Sequence, residues 1–193
     1  MPTRYTDQEI ERMIRERKPL PDNYHTRTQL RPKRGHKERE LDVDGVEGNS
    51  YRLVLRQSDC NSMDFSIILA VAPSGSNQLF RLRRYNGKSH EHTNPIERKT
   101  FYDFHIHQTT ERYQDLGARE DTFAEPTERL SGKRINDQDR GSSYLSREWY
   151  RRWLQDELST DAGRHHWRSC FSNAKYLQHL VAVMVDDLHG DLA

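Results

Sequence analysis

The feature that most constrains this chain is a period of two. Between Leu41 and Gln108 apolar residues recur at every second position in several runs, separated by short turns rich in Gly, Asn and Pro and by one longer polar loop from Asn86 to Thr100. Leu41 and Val43 alternate with charged residues, and Glu47-Gly48-Asn49 reads as a turn. Tyr51, Leu53 and Leu55 follow, alternating with Arg52, Val54 and Arg56. Side chains alternate across a strand, so this pattern predicts half-buried strands. A third strand is expected from Met63 to Val71, where FSIILAV is apolar on both faces and suits a sheet centre. Pro73, Gly75 and Asn77 turn the chain into QLFRLRRY, which ends at Asn86-Gly87. A fifth strand, FYDFHIHQ, begins at Phe101. Short connections favour antiparallel neighbours. The expected class is α+β, with about five antiparallel strands over residues 39–108, an N-terminal helix and C-terminal helices.

The flanks read differently. Thr6 and Glu9 form a T-x-x-E capping box ahead of Ile10, Met13 and Ile14, predicting a helix over 6–17 that Pro19 and Pro21 stop. Residues 22–40 read as an irregular basic arm carrying Arg27, Arg31, Lys33, Arg34, Lys37 and Arg39. A short helix is expected over 110–116, a linker over 128–143, and helices over 145–158 and 173–188. The stripe from Tyr176 to Leu188 is the strongest helical pattern, and a homodimer or a partner protein would explain it as well as packing on the sheet. The expected division is therefore 1–21, 22–127, 128–143 and 144–193. No stretch approaches the roughly 20 apolar residues of a membrane span, so no membrane partner is expected. The N-terminus has no signal-peptide pattern, and two cysteines exclude a disulfide scaffold. A cytoplasmic setting is expected.

The alternation also assigns faces. With Tyr102, Phe104 and Ile106 on one side of the fifth strand, Asp103, His105 and His107 point to the other. Sharing the apolar face among strands collects Arg52, Arg56, Arg81, Arg83, Asp103, His105 and His107 on an open, basic surface. A solvated face accounts for the arginines alone. It does not account for two histidines at i, i+2. The adjoining loop adds Lys88, Ser89, His90, His92, Thr93 and Asn94, so four of the ten histidines fall between 90 and 107.

Three chemistries suit that cluster. The first is metal binding: His90, His92 and Glu97 give H-x-H-x4-E, which resembles half of a cupin motif, and His105 and His107 supply another H-x-H. The second cupin motif is missing downstream. Metal-free phosphoryl transfer is the second, with one histidine as base and one as acid. His107-Gln108-Thr109 is similar to one H-x-T motif of the two-histidine phosphoesterases, while the loop has H-x-N at His92. The third is simple binding of nucleic acid or protein. Walker A, G-x-G-x-x-G, G-x-S-x-G and H-E-x-x-H patterns are all lacking.

The stretches RYNGKSHEHTN, FYDFHIH and ERYQDLG resemble small bacterial proteins of an uncharacterised family, over roughly residues 20–130. The resemblance carries no catalytic residue. It implies a bacterial, cytoplasmic protein, a setting in which toxin–antitoxin and defence systems are common. The expectation from the residues is an RNA-directed, metal-independent ribonuclease or phosphoesterase. His105 and His107 would be the acid–base pair, with His90 and His92 as loop alternates. Arg81 and Arg83 would hold phosphate, Lys88 and Asn94 would assist, and Asp103 would orient His105. No cofactor and no metal is needed on this reading, and RNA is the expected partner. The net charge of +1 lacks the basic excess usual for nucleic-acid binding, and only the arm concentrates charge. The alternatives are a non-catalytic, antitoxin-like binding module and a histidine-cluster metal protein.

Overall fold

The computed structural model describes residues 4–61, 63–116 and 122–127. The expected linker and both C-terminal helices, with the proposed Tyr176–Leu188 interface, lie outside the described residues.

The described chain is mostly antiparallel sheet. Its strands are β1 (Arg31–Lys33), β2 (His36–Asp44), β3 (Ser50–Ser58), β4 (Phe65–Ala72), β5 (Phe80–Asn86), β8 (His105–Thr109) and β9 (Thr122–Pro126). They lie in the order β1-β2-β3-β4-β5-β8-β9. Between β5 and β8 the chain makes a separate two-stranded hairpin, β6 (His92–Asn94) and β7 (Lys99–Phe101). The five expected strands are present as β2, β3, β4, β5 and β8, and the sheet gains an edge strand on each side. The basic arm is not irregular: after a short helix α2 (Tyr24–Arg27) it forms β1 and the start of β2. Arg34 and Gly35 turn between the paired Lys33 and His36 with φ of 32° and 80°, the left-handed pair a tight hairpin needs.

Helix α1 (Asp7–Arg15) starts at the expected capping box, with Thr6 accepting from the Glu9 N–H and Glu9 accepting from the Thr6 N–H. Ile10, Met13 and Ile14 are buried, as is one face of the sheet, built from Leu41, Val43, Tyr51, Leu53, Leu55, Phe65, Ile67, Leu69 and Val71. Tyr5 against Phe80 and Gln108 near Glu11 place the helix on that side. Lys18, just beyond α1, donates to the carbonyls of Met13, Ile14 and Glu16 and lies over the Tyr51 ring. It supplies the cation that a helix C-terminus favours. The short helix expected over 110–116 is a 3-10 helix, Glu111–Leu116.

Two face assignments need correction. The register shifts where Leu69 pairs with Arg83 and Ala70 with Arg81, leaving Leu82 as the extra residue of a β-bulge. Beyond the bulge the faces of β5 exchange. Arg83 pairs with Gln108 on the core side and its guanidinium donates to the Gln108 amide oxygen. Arg84 and Asn86 take the histidine side, opposite His107 and His105. The second correction concerns exposure. Phe104 is buried as expected, but Tyr102 is 55 % exposed, and His105 and His107 are buried rather than displayed on an open surface. Two arginines of that face are neutralised across strands: Arg52 pairs with Asp42 and Glu40, and Arg56 with Glu38.

Candidate metal centre

Residue pairing across β5, β8 and β9 builds the floor of the site. Asn86 faces His105, Arg84 faces His107, and His107 faces Ala124. The β6–β7 hairpin forms the lid over these histidines. Arg98 at φ 54° closes its turn by donating to the Asn94 carbonyl, and Thr93 and Thr100 share a hydrogen bond across it. Asn94 latches the hairpin to β9. Its Nδ2 donates to the Ala124 carbonyl (2.7 Å), and its Oδ1 accepts from the Ala124 N–H (2.9 Å). The lid brings His92 onto the two strand histidines, with ring centroids 5.3 Å from His105 and 4.7 Å from His107. Phe101 packs against both His92 and His105.

The hydrogen bonds fix each ring's tautomer. The Asp103 carbonyl can only accept, so His105 carries its proton on Nδ1 and donates it there (2.7 Å). The Arg84 guanidinium can only donate, so His107 Nε2 accepts from it (2.9 Å). His107 therefore carries its proton on Nδ1 and donates it to Thr122 Oγ1 (3.0 Å). Asn94 Oδ1, oriented by its two bonds to Ala124, accepts from His92 Nε2 (3.1 Å). Lone pairs thus remain on His105 Nε2, His107 Nε2 and His92 Nδ1. Asn86 Nδ2 donates into the first two at 3.2 and 3.3 Å, while its buried Oδ1 has no hydrogen-bond partner.

The electrostatics keep the rings neutral. Burial pushes the His105 pKa down to about 4, against the pull of the Asp103 carbonyl. Burial drives His107 lower still, helped by the adjacent Arg84. His92 is shifted down by burial too, partly offset by Asn94. An acid–base pair near neutrality needs one imidazolium, and this setting disfavours charge on either strand histidine.

Several expected roles change with the geometry. Asp103 does orient His105, but through its backbone carbonyl; its carboxylate accepts from the Phe104 N–H and pairs with Lys88 at 3.5 Å. Asn94 is buried and committed to Ala124 and His92, so it positions the lid rather than meeting a substrate. Arg83 sits on the opposite face, and Arg81 lies toward the far end of β5 opposite Ala70. His90 stands exposed at the rim, bonded to Ser89 and 5.5 Å from the His105 ring. Glu97 is held by Tyr113 and Arg112, so the H-x-H-x4-E spacing does not assemble as one centre. Thr109 of the H-x-T spacing bonds the Arg81 carbonyl. Arg84, Asn86 and Thr122 were not singled out from the sequence. Arg84 and Asn86 become visible only once the bulge is placed, and Thr122 only once β9 is.

One ring nitrogen from each of His92, His105 and His107 lies within 4.8 Å of those of the other two. Imidazole donors of this kind suit Zn, Cu, Fe or Ni. A metal held at the usual bond lengths of about 2.0–2.1 Å would require the three nitrogens to draw closer than this. Among the described residues, no helix is long and apolar enough to cross a membrane. No protein-family profile, curated protein or solved structure matches the chain.

Proposed function

We propose that this protein binds a divalent transition metal through His92, His105 and His107, in a centre that leaves coordination positions open. The observation that carries this reading is the set of tautomers. Each ring gives its N–H to a fixed oxygen (Asn94 Oδ1, the Asp103 carbonyl, Thr122 Oγ1) and leaves its other nitrogen as an acceptor, met at His107 by Arg84 and Asn86 and at His105 by Asn86, donors that a metal would displace. Metal-bound histidines are held in this way, the outer hydrogen bond setting ring orientation and basicity. Burial supports it as well, since a ligand must be neutral and these rings resist protonation.

Three protein ligands with a free position are the pattern of catalytic rather than structural zinc sites. A bound metal would polarise a ligand oxygen or lower the pKa of a bound water. Such a metal would supply the chemistry for hydrolysis, with His92, His105 and His107 holding it rather than acting as an acid–base pair.

The test is metal analysis of protein purified without chelator, followed by titration of metal-stripped protein with zinc, cobalt and nickel. One equivalent bound tightly, and lost in His105→Ala and His107→Ala, is the expected result. Protein that takes up no metal from any of these ions, yet cleaves RNA in the presence of chelator, would return the pair to an acid–base role.

A further inference from the structure

We infer that the β1–β2 edge of the sheet is a nucleic-acid-binding surface, on which Arg27, Arg31, Arg34, Lys37 and Arg39 hold the phosphate backbone without reading its sequence. This edge is far from the histidine centre. Five strand intervals of about 4.8 Å put roughly 24 Å between β1 and β8, so the inference does not rest on the metal reading.

The sequence places six cations and one acid over residues 27–39, and the fold decides which charges are compensated. Lys33 and Arg56 both close on the Glu38 carboxylate, so Lys33 is neutralised. Among the described residues, none of the other five cations has a carboxylate partner. Arg39 donates through Nε to the Arg27 carbonyl, which brings these two side by side without neutralising either. Asp59 joins the turn through its backbone N–H, to the Gly35 carbonyl. Like charges gathered this closely oppose the compact state by self-repulsion, and a bound polyanion relieves it.

Their placement suits a linear ligand. In β1, Arg31 stands opposite Glu38 and Pro32 opposite Lys37, so Arg31 and Lys37 point to opposite faces of the edge. Arg34 sits in the exposed turn and Arg27 ends α2, also exposed. The cations thus follow one edge and its turn rather than converge on a pocket. Four of the five are arginine, whose planar fork matches phosphate oxygens.

Two other accounts explain less. Edge strands are often guarded by Pro and Lys against pairing with another sheet, and Pro32 with Lys33 would serve that need. Arg27, Lys37 and Arg39 lie off β1 and are not required for it. An anionic membrane would call for apolar side chains beside the cations. The exposed large apolar residues are Val46, Leu79, Ile96, Tyr102 and Leu116, and none lies in this segment.

Fluorescence anisotropy of the full-length protein tests this, with a short labelled single-stranded RNA and a short labelled DNA duplex as probes. Binding should be indifferent to sequence, and the tighter probe names the preferred nucleic acid. Five contacts at about 0.7 each predict that RNA affinity falls on the order of a hundredfold between about 50 and 200 mM salt. Arg31→Gln, Arg34→Asn and Lys37→Gln together should lower the log–log salt slope by about 2 and weaken binding at low salt at least tenfold. Asn is used at position 34 because φ there is 32°, which Asn tolerates. A control variant, Arg12→Gln, Arg17→Gln and Lys99→Gln, removes the same charge from exposed positions elsewhere and should bind nearly as the wild type does. If circular dichroism shows that the first triple variant does not fold, Arg31→Gln alone should lower the slope by about 0.7, and an unchanged slope would count against the inference. No binding of either probe at low salt, or equal losses in the two triple variants, would overturn it. So would poly-glutamate or phosphatidylserine vesicles bound as tightly as both nucleic acids.

Discussion

Arg84 and His107 face each other across β5 and β8, with Nη2 2.9 Å from Nε2. An arginine has no acceptor to offer, so this contact decides that His107 is neutral and protonated on Nδ1. The proton goes to Thr122 Oγ1 on β9. Replacing that acceptor should therefore act on the metal. Thr122→Val is expected to lower metal affinity about 10–100-fold, the usual effect of losing an outer-shell partner. Competition against a chromophoric chelator measures it. Unchanged affinity would mean that Thr122 does not orient the ring.

Metal should also stabilise the fold. A ligand that binds only the native state adds about 2.7 kcal/mol at a hundredfold excess over its dissociation constant. Zinc should therefore raise the thermal midpoint in a concentration-dependent way, and chelator should reverse it. His107→Ala should lose the increment. A zinc-dependent rise that survives in His92→Ala, His105→Ala and His107→Ala alike would place the binding elsewhere.

Much of this architecture was legible in the sequence, and the limits have physical causes. β2 to β5 and β8 show because one face of each is apolar and the period is strict. β1 shows nothing, since Arg31, Pro32 and Lys33 are all exposed and have no apolar face to declare. The β6–β7 hairpin is short and polar, held by the Asn94 side chain rather than by an apolar stripe. The bulge at Leu82 carries no local signature, yet it moves Arg83 away from the histidines and brings Arg84 to them. The histidine cluster itself was visible as a density of one residue type. Its burial was not, because a strand covered on both faces by a lid and a helix looks locally like a half-exposed one.

Glu38 gives the acid limb of the stability curve. Hydrogen bonding from Lys33 and Arg56 holds its carboxyl down to about 2 in spite of its burial. A depressed carboxylate stabilises the fold above its unfolded pKa, near 4.3, and loses that contribution as pH falls toward the folded value. His36 lies 3.5 Å away and, with Lys33 and Arg56, faces the same carboxylate. Stability of the wild type should fall between about pH 4.5 and 2 more steeply than that of Glu38→Gln. Chemical denaturation across that range compares them, and parallel curves would exclude Glu38 as a source of acid lability.

Gly87 follows the site residue Asn86 and donates to the Phe65 carbonyl. A Cβ there would stand 1.9 Å from the Met63 carbonyl oxygen, with the Phe65 ring also in its way. The close contact is with backbone, which cannot swing aside. Gly87→Ala should cost about 1–3 kcal/mol or more, in the range of overpacking. Urea denaturation would show it, and a neutral result would mean that the loop after β5 yields easily.

The sharpest separation of lid from floor comes from Asn94. Its amide makes a reciprocal pair with the Ala124 backbone and accepts from His92, so one side chain both closes the hairpin and sets a ligand. Asn94→Leu leaves the Ala124 N–H and carbonyl unpaired, each at a cost of about 1–3 kcal/mol if no water replaces the amide. It also frees the His92 ring. Asn94→Asp keeps an oxygen for the Ala124 N–H and for His92, but sets a carboxylate oxygen against the Ala124 carbonyl in a buried place. Both variants should lower stability, and Asn94→Asp should bind metal more tightly than Asn94→Leu because it still holds the His92 ring. His92→Ala, in contrast, should lower metal affinity strongly while leaving the Ala124 latch in place and stability without metal little changed. Titration with zinc and denaturation of metal-free protein provide the two readouts. If His92→Ala binds zinc as tightly as the wild type, the lid contributes no ligand and the centre reduces to the two histidines of β8.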